Sequence, residues 1–183
     1  MKWLVSTWPV LVAMAAACGG AIESTGASQP VGSASVTGTI KGQPVPANDA
    51  IVTQLTTSTS GSVATSRTVA ITSATHACPC AITQARSTVL VLTVGVQGTD
   101  MAPRTYSFPS AGTDTGVAEA HYLVDDPATS LLAATSGSIT LSQISSSTTV
   151  GTFDLTFPTG DRITGRFSAP TCAAAEAADA ACP

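Results

Sequence analysis

Within five residues, His76-Ala77-Cys78-Pro79-Cys80 brings together an imidazole and two thiols, ligand types that suit zinc or copper. On an extended strand, alternate residues share a face, so all three side chains would point the same way. A covalent reading competes with the metal. Besides Cys18 the chain holds four cysteines, Cys78, Cys80, Cys172 and Cys182, and an even number in an exported chain reads as two disulfides. A Cys78 to Cys80 bridge would close a very tight ring across Pro79. Each is therefore expected to reach one of the two late cysteines, which takes the thiols away from a metal and leaves no cofactor to expect. A loop of roughly 90 to 100 residues closed in this way contributes about 4 kcal/mol in the chain-entropy model.

Other constellations are weaker. The chain has only two histidines, His76 and His121, and no Gly-x-Ser-x-Gly elbow accompanies His121. A Ser-His-Asp assembly would have to form through the fold alone. Asp125-Asp126-Pro127 lacks the alternating oxygen ligands of a calcium loop and reads as a solvated turn. Asp114 and Glu119 flank Gly116, but nothing in the spacing sets a carboxylate separation suited to hydrolysis. Glycine-rich phosphate loops are absent. Charged residues make up 10% of the chain and the net charge is −4, with no basic cluster, so the cations that a phosphate backbone requires are missing and nucleic acid is not an expected partner. The aromatic content of 4% is too low for a carbohydrate-stacking platform, and Tyr106, Phe108 and Tyr122 are expected in the core.

The elements that must position these residues read as short strands. Val36 to Ile40 alternates, and Lys41-Gly42-Gln43-Pro44 punctuates it. Asp49 to Leu55, a polar turn at Thr57 to Gly61, and Ser62 to Thr72 with Val63, Val69 and Ile71 on its apolar side come next. Thr88 to Val96 is β-branched and apolar on both faces, which predicts a central, doubly covered strand. Pro103 to Phe108, Gly116 to Val124 and Gly137 to Ile144 follow. Thr149 to Phe157 and Arg162 to Ala169 form a hairpin with Phe153, Leu155, Phe157, Ile163 and Phe167 on the core side and Asp154, Arg162 and Arg166 on the other. About nine strands without a long helix predict an all-β domain, an antiparallel sandwich or barrel stapled by disulfides. Residues 173–181 have helical propensity.

The N-terminus predicts where such a domain works. Lys2 precedes an uncharged run from Trp3 to Ala17, which ends in Ala15-Ala16-Ala17-Cys18, the layout of a secretion signal. A helix of about 15 residues spans only about 22 Å, short of the roughly 30 Å hydrocarbon core. Residues 1–17 are thus expected to be a signal and not a span, and with Cys18, which resembles the acylated cysteine of bacterial lipoproteins, they look like a lipoprotein signal peptide, with ordinary signal cleavage as the competitor. That resemblance implies a diacylglyceryl group and an amide-linked acyl chain, enough for stable anchoring. Gly19 and Gly20 follow, with no Asp to argue for inner-membrane retention, so the outer membrane is favoured, facing the periplasm or the surface. Residues 18–35 are a disordered tether rich in Gly, Ser, Thr, Ala and Pro, and residues 36–183 are a single β domain. Removing Lys2 with the signal leaves six Lys and Arg against eleven Asp and Glu.

Val36-Thr37-Gly38-Thr39-Ile40-Lys41-Gly42 with Asp49-Ala50-Ile51, and Gly151 to Phe157 through Gly165 to Cys172, resemble small secreted lipoproteins common in myxobacteria. This resemblance implies location and fold class only. Three functions then compete. The first is a non-enzymatic cell-envelope lipoprotein, an interaction module for an envelope protein or polymer. A lipocalin-like carrier would need an open barrel cavity. A hydrolase would need His76 or His121 beside a nucleophile. Leu90, Leu92, Phe153, Leu155, Phe157 and Phe167 are expected to fill the interior and disfavour the carrier.

Overall fold

The computed structural model describes residues 32–59, 61–74, 88–98, 100–108, 116–123 and 131–172, and every regular element among them is a strand. In chain order these are β1 (Ser33–Ile40), β2 (Gln43–Pro44), β3 (Asp49–Thr59), β4 (Ser62–Thr72), β5 (Thr88–Gln97), β6 (Thr105–Phe108), β7 (Gly116–Tyr122), β8 (Leu132–Ala133), β9 (Ser136–Ile144), β10 (Thr148–Thr156) and β11 (Arg162–Cys172). Hydrogen bonding links them in the order β6-β9-β10-β11-β3-β4-β5-β7-β8, with β1 laid against β11 and β2 against β1.

Strand β11 joins the two halves of this sheet. Its residues 163–168 pair with β1, and its last two residues then pair with β3. Curling of the sheet into a half-barrel brings β6 up beside β7, where a Cβ on Gly116 would stand 2.9 Å from the Tyr106 ring. The curl follows from the period-two alternation of the strands: one face of each is apolar, and those faces can leave water only by turning toward one another. Leu90, Leu92, Phe153, Leu155, Phe157 and Phe167 all lie in one buried cluster, as expected. Each such large side chain contributes about 1.5 to 3 kcal/mol by leaving water.

Two inward glycines shape the β10–β11 hairpin. Phe153 stands opposite Gly165, and Phe167 stands opposite Gly151. Each ring folds over the glycine across from it, leaving no room for a side chain there. At the other tight point, Lys41 and Gly42 both take positive φ, 52° and 75°, in the two-residue turn between β1 and β2, the conformation of a type I′ hairpin. Lysine is strained there, and the Lys41 amide is held by Asp161 Oδ2 at 2.8 Å. That bond, together with the Thr159 hydroxyl, keeps the Asp161 carboxyl below its ordinary pKa.

All nine expected strands are present, and the all-β expectation holds. The structure corrects four details. β2 and β8 are two-residue strands, too short to show periodicity in sequence. β1 begins at Ser33, not Val36, because Ser33, Ala34 and Ser35 pair with Ser168, Phe167 and Arg166 although their own pattern is weak. The expected turn at Thr57 to Gly61 is shorter, since Thr57 to Thr59 stay in the ladder opposite Ala64 to Ser62. Finally, the sheet is mixed: Thr171 and Cys172 run parallel to Val52 and Thr53, as both β1 and β3 share one edge of β11. β5 is central, with Leu90, Leu92, Val94 and Val96 buried, but Val91, Thr93 and Gly95 on its other face are only half-buried.

Candidate functional site

Cys18, His76, Cys78, Cys80, Cys182, Asp114, Asp125 and Asp126 lie outside the described residues, as do the signal segment, residues 18–31 of the tether and the tail 173–183. Cys172 is the last residue of β11, its backbone opposite Thr53 of β3. β4 ends at Thr72, opposite Asp49 of that same strand. The end of β4 is therefore four residues along β3 from Cys172 and two strand spacings across, about 16 Å in all from the strand rise and spacing. Six residues of chain reach up to about 20 Å, so the long-range pairing is within range.

His121 is on β7, on the face opposite the core. Its Nε2 is 3.7 Å from Glu119 Oε2, and its buried Nδ1 has no hydrogen-bond partner among the described residues. The residues directly across from it are Val91 and Ala133, so neither neighbouring strand sets a hydroxyl opposite the ring. Among the described residues, no group of three His, Cys, Asp or Glu side chains is placed to hold a metal ion.

Arg67 of β4 points into the interior and is 6% exposed. Its guanidinium reaches three neutral acceptors: Thr149 Oγ1, Gln54 Oε1 at 2.7 Å and the Ser145 carbonyl at 3.1 Å. Burial pushes its pKa below the ordinary value. Since Ser145 and Thr149 belong to the β9–β10 turn and β10 while Gln54 belongs to β3, one cation ties the two halves of the sheet together. Arg67→Ala would leave all three acceptors unmatched, and hydrogen bonds to a charged group contribute about 1.5 to 3 kcal/mol each. A loss of about 3 kcal/mol in urea unfolding is expected, with Arg67→Lys recovering part of it; an unchanged midpoint would show that the clasp carries no stability.

An ordered array of polar groups lies on the outer face of the half formed by β6, β9, β10, β11 and β1. The register aligns Thr105, Thr140, Thr152, Arg166 and Ser35 in one row across five strands. Ser107, Ser138, Asp154, Thr164 and Thr37 form the next. Thr105 and Thr140 hydroxyls lie 2.8 Å apart, so the array is internally bonded in part. Arg162 Nε donates to Asp154 Oδ1 at 2.7 Å and Nη2 donates to Oδ2, which holds the Asp154 carboxyl below its usual range and raises Arg162.

A groove of about 350 Å³ crosses this face where β9 bulges beside Val150 and Gly151. Five of its lining side chains carry hydroxyls, those of Ser33, Ser35, Ser142, Thr152 and Ser168, with Arg166 among them. Arg166 is exposed and has no acidic partner among the described residues. The arrangement can donate to, and accept from, an oxygen-rich ligand at several points, with one positive charge. In the sequence the signal is the alternation of Ser and Thr with core residues through 136–140 and 162–168. Composition already marks the surface as hydroxyl-rich, but the rows exist only after strands distant in the chain are put in register. Compared with known proteins, the chain matches no family model, and no significant match is found among curated proteins or solved structures.

Proposed function

We propose that this chain is a cell-envelope lipoprotein: a domain anchored through acylated Cys18, favouring the outer membrane, that acts without catalysis by presenting its hydroxyl-rich sheet face to an envelope protein or polymer. The observation that carries this reading is the array on β6, β9, β10, β11 and β1, where Ser and Thr side chains stand in cross-strand rows around Arg166, which has no acidic partner among the described residues. The filled interior supports it against a carrier, because Leu90, Leu155 and Ile163 are wholly buried where a ligand would have to sit. Val91 and Ala133, directly across from His121, bring no hydroxyl to the ring, and so give the hydrolase reading no support. Sequence contributes the anchor, through Ala15-Ala16-Ala17-Cys18 and the resemblance to small myxobacterial lipoproteins.

The anchor is tested by fractionation and metabolic labelling with a clickable palmitate analogue. The unaltered protein is expected in the membrane fraction and labelled; Cys18→Ser is expected to lose the label and leave that fraction. An unlabelled wild-type protein that fractionates like Cys18→Ser would contradict the reading.

A further inference from the structure

We infer that the groove around Arg166 binds an acidic polysaccharide, seating one carboxylate on the guanidinium while neighbouring sugar hydroxyls bond to the Ser and Thr side chains. This deepens the interaction role proposed above and rests on it.

The first support is charge. The chain carries a net charge of −4, yet among the described residues no acidic side chain lines this groove. Arg162, two rows away on the same face of β11, is already paired with Asp154. Arg166 is left to face solvent with hydroxyls on both sides: Thr152 is directly opposite on β10 and Ser35 directly opposite on β1. A guanidinium presents a planar fork of donors that matches a carboxylate. The bulge at Val150 and Gly151 contributes to the site by leaving Ser142 as the extra residue, its hydroxyl bonded to the Val150 carbonyl at 3.1 Å along the groove wall.

The second support is the chemistry around that charge. A protein partner would be held by aromatic and apolar anchors; among the described lining residues Phe167 is buried beneath the groove, and Val150 is the one large aliphatic side chain. Nucleic acid needs several cations on one face. A glycan asks for neither. Its hydroxyls both donate and accept, as do those of Ser and Thr, and the rows continue past the groove to Thr140 and Thr105. At a strand spacing of about 4.8 Å the five-strand row extends roughly 19 Å, which offers a chain a track longer than the groove itself. Without an aromatic platform for stacking, affinity depends on the ion pair and is therefore sensitive to salt.

The test is fluorescence anisotropy of dye-labelled hexagalacturonate with the full chain in detergent at low salt. Binding is expected to weaken as salt rises. Arg166→Gln is expected to lose about tenfold in affinity, the value of one charge-assisted contact, and methyl-esterified oligomer should lose a similar factor. Lys41→Gln, outside the groove, should bind like the unaltered protein, and unchanged unfolding midpoints would show that both variants fold. Equal binding by Arg166→Gln, or by the methyl ester, would overturn the proposed site while leaving an interaction role intact. Binding to phosphatidylglycerol vesicles in preference to the oligomer would overturn the glycan in favour of a lipid headgroup. Failure of the unaltered protein to hold either the oligomer or isolated envelope polysaccharide would contradict the glycan inference and remove the polymer partner from the proposed function.

Discussion

Gly165→Val is expected to destabilise the domain by about 3 kcal/mol, within the range of overpacking substitutions, and to lower its melting temperature by roughly 6 to 12 °C. The cause is space. A Cβ at Gly165 would stand 2.3 Å from Phe153 Cζ and 2.5 Å from the Ser35 carbonyl oxygen. The ring can rotate, but the carbonyl belongs to β1, and moving it parts β1 from β11. Gly151→Val meets the mirror-image problem, with the Thr140 carbonyl at 2.5 Å and the Phe167 ring at 2.7 Å. Gly95→Ala supplies the contrast, because its nearest neighbours are 4.0 Å away on the outer face of β5; a change within about 0.5 kcal/mol is expected. Calorimetry of the three variants checks the set. Equal melting temperatures for Gly165→Val and Gly95→Ala would show that the Phe-over-Gly packing does not hold the hairpin.

If Cys78 and Cys80 are bonded to the two late cysteines, as the sequence predicts, reduction is expected to cost about 4 kcal/mol, the loop-closure value for roughly 90 to 100 residues. The register explains why the bond would matter. Among the described residues, β11 pairs with β3 in the ladder through Thr171 and Cys172, so the hydrogen-bonded junction between the two halves of the sheet is a short parallel one. Chain ends fray unless tied down, and a covalent link from Cys172 or Cys182 to Cys78 or Cys80 would secure that junction. Urea unfolding with and without reductant measures the difference, and Cys172→Ser should reproduce at least part of it. Coincident curves would refute the long-range pairing.

Strand positions were legible in the sequence wherever apolar residues alternated over enough length. Phe153, Leu155 and Phe157 facing Ile163 and Phe167 define the final hairpin without reference to anything else in the chain. β2 and β8 were not legible, since two residues carry no period. Nor was Ser33 to Ser35, whose strand conformation comes from its partner β11 rather than from its own propensity. Arg67 is an intermediate case. The alternation of Val63, Val69 and Ile71 places residue 67 on the inward face, but the Gln54, Ser145 and Thr149 acceptors that make an inward arginine tolerable come from three other segments. The Arg166 groove is further still from the linear chain, because its hydroxyls come from β1, β9, β10 and β11. Residue types were visible, whereas their assembly required long-range register.

The proposed anchor and the expected disulfides make one compound prediction that a single measurement can test: the intact mass of the protein extracted mildly from its own envelope. The expected species begins at Cys18, carries a diacylglyceryl group and an amide-linked acyl chain, and lacks the four hydrogens released by forming two disulfides. An unacylated chain with free thiols would contradict both the anchor and the staple.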